Sequence, residues 1–226
     1  MAFQPIVDVE TRRVFAHEAL VRGEQGEGAG FVFDRVTENN KYSFDQTCRV
    51  TAIRDIARLD PTSHVSINFL PNAIYDPETC LARTLAAADK YNFPRENIIF
   101  EVTEHEKIEN RALLRDVFSA YKAKGFRTAI DDFGEGFAGL NLLAEFQPDI
   151  LKLDMKLVQG ISNDKVKQSI LSGIQTTANH LNVELIAEGI EDRADYLFLK
   201  TNKIKYMQGY FFAKPKLEGL PSINWD

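Results

Sequence analysis

The sequence has 226 residues, of which 27 are Lys or Arg and 33 are Asp or Glu, so its formal net charge is −6. A hydrophobic content of 44% and a charged content of 27% are those of an ordinary globular domain and exclude a disordered or collagen-like chain. The acidic balance argues against binding to duplex nucleic acid. A phosphate-bearing substrate remains compatible with it, because bound divalent cations can reverse the local field.

The sequence shows no sign of membrane insertion or export. No apolar run approaches the ~18 residues of a membrane span, and the first residues lack the basic and apolar regions of a signal peptide. We therefore expect a cytoplasmic protein that makes no membrane contact. No linker or shift in composition marks a boundary, so we treat residues 1–226 as a single domain.

Short β-rich runs alternate with amphipathic helical patterns along the chain. The predicted strands are Phe3–Val9, Val14–Arg22, His64–Phe69, Asn97–Thr103, Arg127–Asp132, Asp149–Asp154, Asn182–Glu188 and Lys205–Tyr210. The predicted helices include Phe44–Leu59, Pro77–Tyr91, Glu106–Lys124 and Met155–Leu181. This alternation predicts α/β architecture, and eight strands in this length favour a closed (β/α)8 TIM-like barrel. Only Glu10–Arg13 joins the first two strands, which is too short for a parallel crossover, so we expect the first strand to be antiparallel.

Polar residues gather at the carboxyl ends of the predicted strands, which is the end that carries the active site in such barrels. The members of this set are Glu18, Asn68, Glu101, Asp131, Asp132, Lys152, Asp154, Glu188 and Gln208. A single acid at a strand end is more often a helix cap or a solvated side chain. Several acids converging on one mouth repel one another, and the one charge of Lys152 is too little to compensate them.

The types of these side chains indicate hard divalent cations. Carboxylate and amide oxygens suit Mg²⁺ or Mn²⁺ better than Zn²⁺, which prefers His and Cys. The four histidines form no cluster, and we interpret them, His17 included, as structural or surface residues. Of the adjacent pair Asp131 and Asp132, one carboxylate can bridge two ions while the other holds only the second. Two metals roughly 3.5–4 Å apart serve in-line displacement at phosphorus, so the residues predict metal-assisted phosphodiester hydrolysis.

In this order, the residues resemble the EAL family of cyclic di-GMP phosphodiesterases, from about residue 3 to residue 215. The motifs that carry the resemblance are Glu18-Ala19-Leu20-Val21-Arg22, Asn68-Phe69-Leu70-Pro71, Glu101-Val102-Thr103-Glu104, Asp131-Asp132-Phe133-Gly134, Lys152-Leu153-Asp154, Ala187-Glu188-Gly189-Ile190-Glu191 and Gln208-Gly209-Tyr210. A lone Glu-Ala-Leu carries no information, whereas this ordered set is highly specific. The resemblance implies a barrel with an antiparallel first strand and a two-metal site at its mouth.

The resemblance also implies a set of metal ligands. One ion would be held by Glu18, Asn68, Glu101 and Asp131. The second would be bridged by Asp131 and completed by Asp132 and Glu188. A water between the ions would attack one phosphorus of cyclic di-GMP and open the ring to linear pGpG. Lys152 would hydrogen-bond that water, and Glu188 would act as a ligand or a base. The implied cofactors are two Mg²⁺ or Mn²⁺ ions, and Ca²⁺ is expected to inhibit.

Further residues match positions around the substrate. Those that match substrate contacts are Gln4, Leu20, Arg22 and Gln208, and Arg22 suits phosphate through its planar donor fork. We group Asp154 and Glu191 with them, at positions that touch metal ligands or metal-bound water. Glu104 matches the residue that anchors the loop after Asp132, and by resemblance that loop and neighbouring helices would form a homodimer interface.

One loop departs from the family pattern. The family commonly reads DDFGTGYSSL, whereas residues 131–140 here read DDFGEGFAGL. This change bears on regulation and turnover more than on metal binding. The alternative function is therefore a catalytically weak cyclic di-GMP-binding or protein-interaction module in bacterial signalling. If the family match is ignored, a metal phosphatase of another substrate class also fits the residues.

Overall fold

The computed structural model describes residues 1–73, 77–103, 111–134 and 139–225, without the side chains of residues 77–79 and 139. The strands within these residues are β1 (Ala2–Asp8), β2 (Arg13–Leu20), β3 (His64–Asn68), β4 (Ile98–Thr103), β5 (Arg127–Phe133), β6 (Ile150–Leu153), β7 (Glu184–Ala187), β8 (Tyr206–Met207) and β9 (Lys216–Leu217). The α-helices are α1 (Ala29–Phe33), α2 (Lys41–Leu59), α3 (Pro77–Tyr91), α4 (Arg111–Ala123), α5 (Gly139–Glu145), α6 (Met155–Val158), α7 (Lys165–Leu181) and α8 (Arg193–Thr201).

The sheet closes on itself. Strands β2 to β8 lie side by side as parallel neighbours, and β1 joins β8 to β2. β1 is antiparallel to both of these neighbours, as the short connection between β1 and β2 predicts. The short strand β9 pairs with the first residues of β1. The predicted (β/α)8 TIM-like barrel with a reversed first strand is therefore confirmed.

Several predicted boundaries differ from those of the structure. β6, β7 and β8 end at Leu153, Ala187 and Met207, each shorter than predicted. Asp154, Glu188 and Gln208 consequently lie just beyond the strands rather than within them. α5 and α8 were not among the predicted helices. The first part of the predicted helix Glu106–Lys124 falls outside the described residues, and α4 covers the rest of it.

The single predicted helix Met155–Leu181 is wrong, because the chain turns twice within it. Gly160 adopts a left-handed conformation with φ of 76°, which ends the first helical segment after α6. A short 3-10 helix follows at Ile161–Asn163. Asp164 then caps α7 by accepting hydrogen bonds from the amides of Val166 and Lys167. Gly160 and Asp164 are turn and cap signals that the sequence contains, but the apolar pattern runs through them and predicts one continuous helix.

The barrel interior is divided into an apolar layer and a polar layer. The apolar layer lies toward the amino ends of the parallel strands and consists of Ile6, Ala16, Ile99, Ala129, Ile150, Ile186 and Tyr206. Two residues further along the same inward faces come Glu18, Glu101, Asp131, Lys152 and Glu188. A larger apolar cluster fills the space between the outer faces of the strands and the helices. Because residues two apart on a strand share a face, the charged residues lie inside the barrel and one layer nearer its carboxyl end than the apolar residues.

In the parts of the chain that the structure describes, we find no helix with both the length and the apolar character needed to cross a membrane.

Candidate active site

The polar layer opens into a cavity of about 270 Å³ at the carboxyl ends of the strands. Strand register places Asn68 beside Glu101 on the adjacent strand. The residues that line the cavity are Gln4, Glu18, Asp131, Asp132, Met155, Glu188, Gly189, Glu191, Gln208, Gly209 and Tyr210. Seven of the residues predicted for the site therefore share this one cavity: Gln4, Glu18, Asp131, Asp132, Glu188, Glu191 and Gln208.

Lys152 occupies the centre of the acidic group. Its side chain is fully buried, and its ammonium nitrogen approaches four carboxylates. The distances from Nζ are 2.8 Å to Glu188 Oε1, 3.0 Å to Glu101 Oε2, 3.0 Å to Asp131 Oδ1 and 4.0 Å to Glu18 Oε1. One cation therefore serves four potential anions, which is the imbalance that the sequence predicts.

The imbalance appears in the protonation equilibria. Burial, followed by repulsion from Asp131 and Glu18, raises the pKa of Glu101 to about 8, although Lys152 opposes the rise. The same two causes, burial and repulsion by Asp131, raise the pKa of Glu188 well above its ordinary value. Burial alone would lower the pKa of Lys152, but the surrounding carboxylates raise it well above the ordinary value. If all four acids were ionised, the site would carry more negative charge than Lys152 can neutralise.

Two groups of three carboxylates lie close enough to hold cations. In each group, one oxygen from every member lies within 4.8 Å of the others. The first group is Glu18, Glu101 and Asp131, and the second is Asp131, Asp132 and Glu188. Asp131 belongs to both groups. The all-oxygen donor set, the shared carboxylate and the excess negative charge fit two hard divalent ions.

A β-bulge brings Asp131 and Asp132 into one group. Neighbours on a regular strand point to opposite faces, but the pairing of β5 with β6 shifts register between Ile130 and Phe133. Asp132 has a φ of 55°, and its amide donates a 3.0 Å hydrogen bond to Asp131 Oδ1. The sequence shows that the two acids are adjacent, but it does not show this bulge.

Amide and hydroxyl groups orient two of the buried carboxylates. Asn68 Nδ2 donates to Glu18 Oε1 at 3.2 Å, which leaves the Asn68 amide oxygen as the atom it can offer to a cation. Gln208 Nε2 donates to Glu18 Oε2 at 2.6 Å. The hydroxyl of Ser66 donates to Glu101 Oε1. We did not predict a role for Ser66, although its position two residues before Asn68 places it on the same face.

The reversed strand β1 brings Gln4 to the mouth. Antiparallel pairing sets Gln4 opposite Glu18, and Gln208 Nε2 lies 3.2 Å from Gln4 Oε1. Gln4 in turn donates to the carbonyl of Ala213 at 3.2 Å. Among the described residues, the buried Oε1 of Gln208 has no hydrogen-bond partner. The mouth therefore keeps an acceptor that a bound molecule can satisfy.

The other predicted substrate residues have different environments. Glu191 lines the cavity. Asp154 is buried and caps α6 by accepting a 2.8 Å hydrogen bond from the amide of Lys156. Arg22 is half-buried and donates to the carbonyl of Val21 at 2.7 Å. Leu20 lines a separate apolar cavity of about 350 Å³, which Asn68 also borders.

Two predicted features fall outside the described residues. Glu104 belongs to residues 104–110, and most of the loop that departs from the family pattern belongs to residues 135–138. The proposed roles of this loop and its anchor therefore rest on the sequence.

The family assignment follows from comparison with known proteins. The family model described as "EAL domain" matches residues 1–215. The chain therefore belongs to the EAL domain family, whose curated relatives include proteins named cyclic di-GMP phosphodiesterases.

Solved structures of similar proteins contain cyclic di-GMP. A standalone versatile EAL protein from Vibrio cholerae O395, in its c-di-GMP-bound form, is 52% identical with a TM-score of 0.96, over 99% of this chain and 94% of that chain. BlrP1 from Klebsiella pneumoniae, in complex with manganese and cyclic di-GMP, is 31% identical with a TM-score of 0.93, over 98% of this chain and 57% of that chain. Its calcium complex aligns at 32% identity with a TM-score of 0.89, over the same shares of the two chains.

Two curated relatives from Escherichia coli K12 carry different descriptions. The blue light- and temperature-regulated antirepressor BluF is 32% identical over 225 residues, which are 99% of this chain and 56% of BluF. The cyclic di-GMP phosphodiesterase PdeR is 35% identical over 162 residues, which are 72% of this chain and 24% of PdeR. The chain thus spans only about half or less of the length of these relatives.

Proposed function

We propose that this chain is a metal-dependent phosphodiesterase that hydrolyses cyclic di-GMP to linear pGpG. The observation that carries the proposal is the pair of carboxylate groups that share Asp131 at the mouth of the barrel. The cyclic di-GMP complexes of its structural neighbours support the choice of substrate. In the reaction, water adds across one phosphodiester bond, so that one P–O bond forms and one breaks.

The metal ligands we propose are those that the family resemblance implies. They are Glu18, Asn68, Glu101 and Asp131 for one Mg²⁺ or Mn²⁺ ion, and Asp131, Asp132 and Glu188 for the other. When bound, two such ions supply a water of lowered pKa and neutralise charge that develops on the phosphate. Because the buried carboxylates that would hold the ions have fixed positions, the positive charge would stay next to the phosphate without reorganisation during the reaction.

Lys152 and Glu188 are the groups we propose for handling protons. They form an ion pair with 2.8 Å between Nζ and Oε1, so each restricts the orientation of the other. The Lys152 ammonium can donate a hydrogen bond to the attacking water and fix its direction. The Glu188 carboxylate, which pairs with Lys152, would act as a metal ligand or accept a proton from that water.

Amide and guanidinium groups at the rim would hold the dinucleotide. Gln208 offers its unpartnered Oε1 to a donor, and Gln4 lies beside it. Arg22 would have to leave the carbonyl of Val21 to reach a phosphate, and Leu20 would contact the ligand from the apolar cavity. We keep Asp154 and Glu191 as contacts of metal-bound water and Glu104 as the anchor of the loop after Asp132.

A turnover assay tests this proposal. The purified chain is incubated with Mn²⁺ and cyclic di-GMP, and pGpG is measured by chromatography. We expect pGpG to form with Mn²⁺ or Mg²⁺ and not with Ca²⁺. Absence of pGpG from folded, metal-loaded protein would overturn the proposal.

A second candidate function is a binding module without useful turnover. It is favoured by one comparison, in which a relative similar over nearly the whole chain is described as an antirepressor. Calorimetry distinguishes the two candidates. Tight binding of cyclic di-GMP with Ca²⁺, together with no hydrolysis with Mg²⁺, would favour the binding module.

We also propose that the chain forms a homodimer through the loop after Asp132 and the helices beside it. Light scattering after size-exclusion chromatography tests this, and a mass equal to one 25.6 kDa chain would contradict it.

A further inference from the structure

A second charged network lies outside the cavity, between α2, α4 and the end of β3. Its centre is Arg49 on α2, whose side chain is fully buried. Arg49 Nε lies 2.7 Å from Asp45 Oδ2, and Nη1 donates to the hydroxyl of Tyr121 at 2.6 Å. The guanidinium also lies over the rings of Phe69 and Phe100, at 5.4 and 5.1 Å from their centroids.

This network is joined to the candidate metal site through the backbone. Asp45 Oδ1 accepts a 3.0 Å hydrogen bond from the amide of Leu70, two residues beyond Asn68. Between them, the amide of Phe69 donates to the carbonyl of Glu101 at 3.0 Å, and its ring packs into the aromatic group around Arg49. The residues that follow Asn68 are therefore fixed from both sides.

We propose that Asp45 is a positioning residue for Asn68. Held by Arg49, which is itself fixed by Tyr121, its carboxylate fixes the chain after β3, so that the Asn68 amide faces Glu18. This inference rests on the proposed function, because it takes Asn68 as a metal ligand.

The burial of the network supports a role in holding the chain after β3 in one fixed position. Asp45 is 3% exposed and Arg49 and Tyr121 are fully buried, so bulk water has little access to compete for these hydrogen bonds. Burial raises the pKa of Tyr121 to about 12, which keeps its hydroxyl neutral beside Arg49. Groups that orient metal ligands commonly change metal affinity 10–100-fold when removed.

The test compares Mn²⁺ binding by Asp45→Ala and by a matched control, Asp8→Ala. Asp8 is also buried and accepts hydrogen bonds from backbone amides, those of Glu10 and Thr11, but at the hairpin on the opposite end of the barrel. Mn²⁺ binding to the full chain is followed by the electron paramagnetic resonance signal of the free ion, without substrate. We expect Asp45→Ala to weaken binding about tenfold and Asp8→Ala to change it less than about twofold.

Two further variants separate the effect of the position of the Asp45 carboxylate from the effect of its charge. Asp45→Asn keeps an acceptor oxygen at the same distance, and we expect its Mn²⁺ affinity to stay within about threefold of wild type. Asp45→Glu keeps the charge but displaces the carboxylate, and we expect about fivefold weaker binding. If Asp45→Ala does not fold, the Mn²⁺ affinity of Asp45→Glu tests the inference instead.

Equal Mn²⁺ affinity in wild type and Asp45→Ala, or in wild type and Asp45→Glu, would overturn the inference, as would an equal loss in Asp8→Ala. Turnover is measured separately. Absence of pGpG would contradict the proposed function, whereas the Mn²⁺ titrations would still decide the role of Asp45.

Discussion

At the scale of single residues, Glu18 is a carboxylate whose two oxygens are both held by neighbouring side chains. Asn68 donates to one of its oxygens and Gln208 to the other. Because Asn68 ends β3 and Gln208 directly follows β8, the carboxylate is held in place before any ligand arrives. Such preorganisation is what a metal ligand requires.

Replacing Glu18 by Ala should remove turnover. The change deletes one member of the first carboxylate group, leaves the Asn68 amide without this acceptor and leaves the Gln208 amide with Gln4 alone. We expect the rate of pGpG formation to fall by more than about 100-fold at saturating substrate, measured by chromatography. Glu10→Ala, an exposed acid in the hairpin at the other end of the barrel, is the control and should keep the wild-type rate. Appreciable activity in Glu18→Ala would rule out its role as a ligand.

His17 shows how a titratable residue can act on stability alone. It is buried outside the cavity, with Nδ1 3.0 Å from the hydroxyl of Ser63. Burial lowers the pKa of His17 to about 4. The unfolded chain, with a histidine pKa near 6.5, therefore binds more protons than the folded chain between about pH 4 and 6.5. Stability is lost as the pH falls through this window.

The loss attributable to His17 should amount to at most about 3 kcal/mol of unfolding free energy between pH 7 and pH 4. In His17→Asn, which keeps a polar atom near Ser63, the unfolding free energy should depend less on pH in this window. Urea denaturation at several pH values measures it. His180→Asn, at an exposed position on α7, serves as the control and should leave the pH dependence unchanged. An unchanged profile in His17→Asn would contradict the assignment.

Sequence reasoning identified the acids at the strand ends because burial, period and charge all point to them. It could not identify how Asp131 and Asp132 come together, since that depends on a local register shift. Asp154, which the sequence places with the substrate residues, also caps α6 in the structure. An Asp before a helix is a recognisable cap signal, so this contact was open to prediction.

At the scale of elements, the segment after β7 is tightly constrained by the segment after β6. Gly189 has a φ of 66°, and a Cβ atom there would lie 2.3 Å from Met155 Cβ. Gln159 Nε2 also donates to the carbonyl of Gly189 at 3.1 Å. Because Glu188 immediately precedes Gly189, this contact fixes where the Glu188 carboxylate enters the mouth.

Gly189→Ala should therefore destabilise the protein by about 2–4 kcal/mol, since it combines a steric clash with a strained left-handed backbone. Urea denaturation gives the change in unfolding free energy. Gly173→Ala is the matched control, because Gly173 lies exposed within α7 and a Cβ there meets nothing within 4 Å. It should stabilise the protein by about 0.5–1 kcal/mol. Equal effects of the two substitutions would contradict the packing described.

The elements themselves were largely predictable, because strand and helix periods alternate clearly along the chain. The errors fall where one signal competes with another. The apolar pattern of Met155–Leu181 is continuous, yet Gly160 and Asp164 divide it. The end of β8 depends on contacts with β1 and β7, which no local pattern records.

At the scale of the whole molecule, the net charge of −6 is unevenly placed. Four acids of the mouth share one buried lysine, and Asp132 adds a fifth carboxylate beside them, so cations should bind the folded chain and not the unfolded one. Mn²⁺ should then stabilise the fold by mass action.

At a Mn²⁺ concentration 100 times its dissociation constant, the stabilisation is about 2.7 kcal/mol, which corresponds to about 5–10 °C in melting temperature for a chain of this size. Differential scanning fluorimetry measures the shift. Asp131→Asn, which alters the carboxylate common to both groups, should abolish most of it. Asp116→Asn on the exposed face of α4 should retain it in full. A Mn²⁺ shift that survives in Asp131→Asn would place the ions elsewhere.

The reversal of β1 also places its first residues at the mouth of the barrel. Ala2 pairs with Leu20 at the mouth, and the ammonium of Met1 lies 3.3 Å from Asp55 Oδ2. Joining any residue to Met1 turns this ammonium into a neutral amide and removes a charge partner of Asp55. An amide at this position would therefore lack the ion pair that the ammonium makes with Asp55.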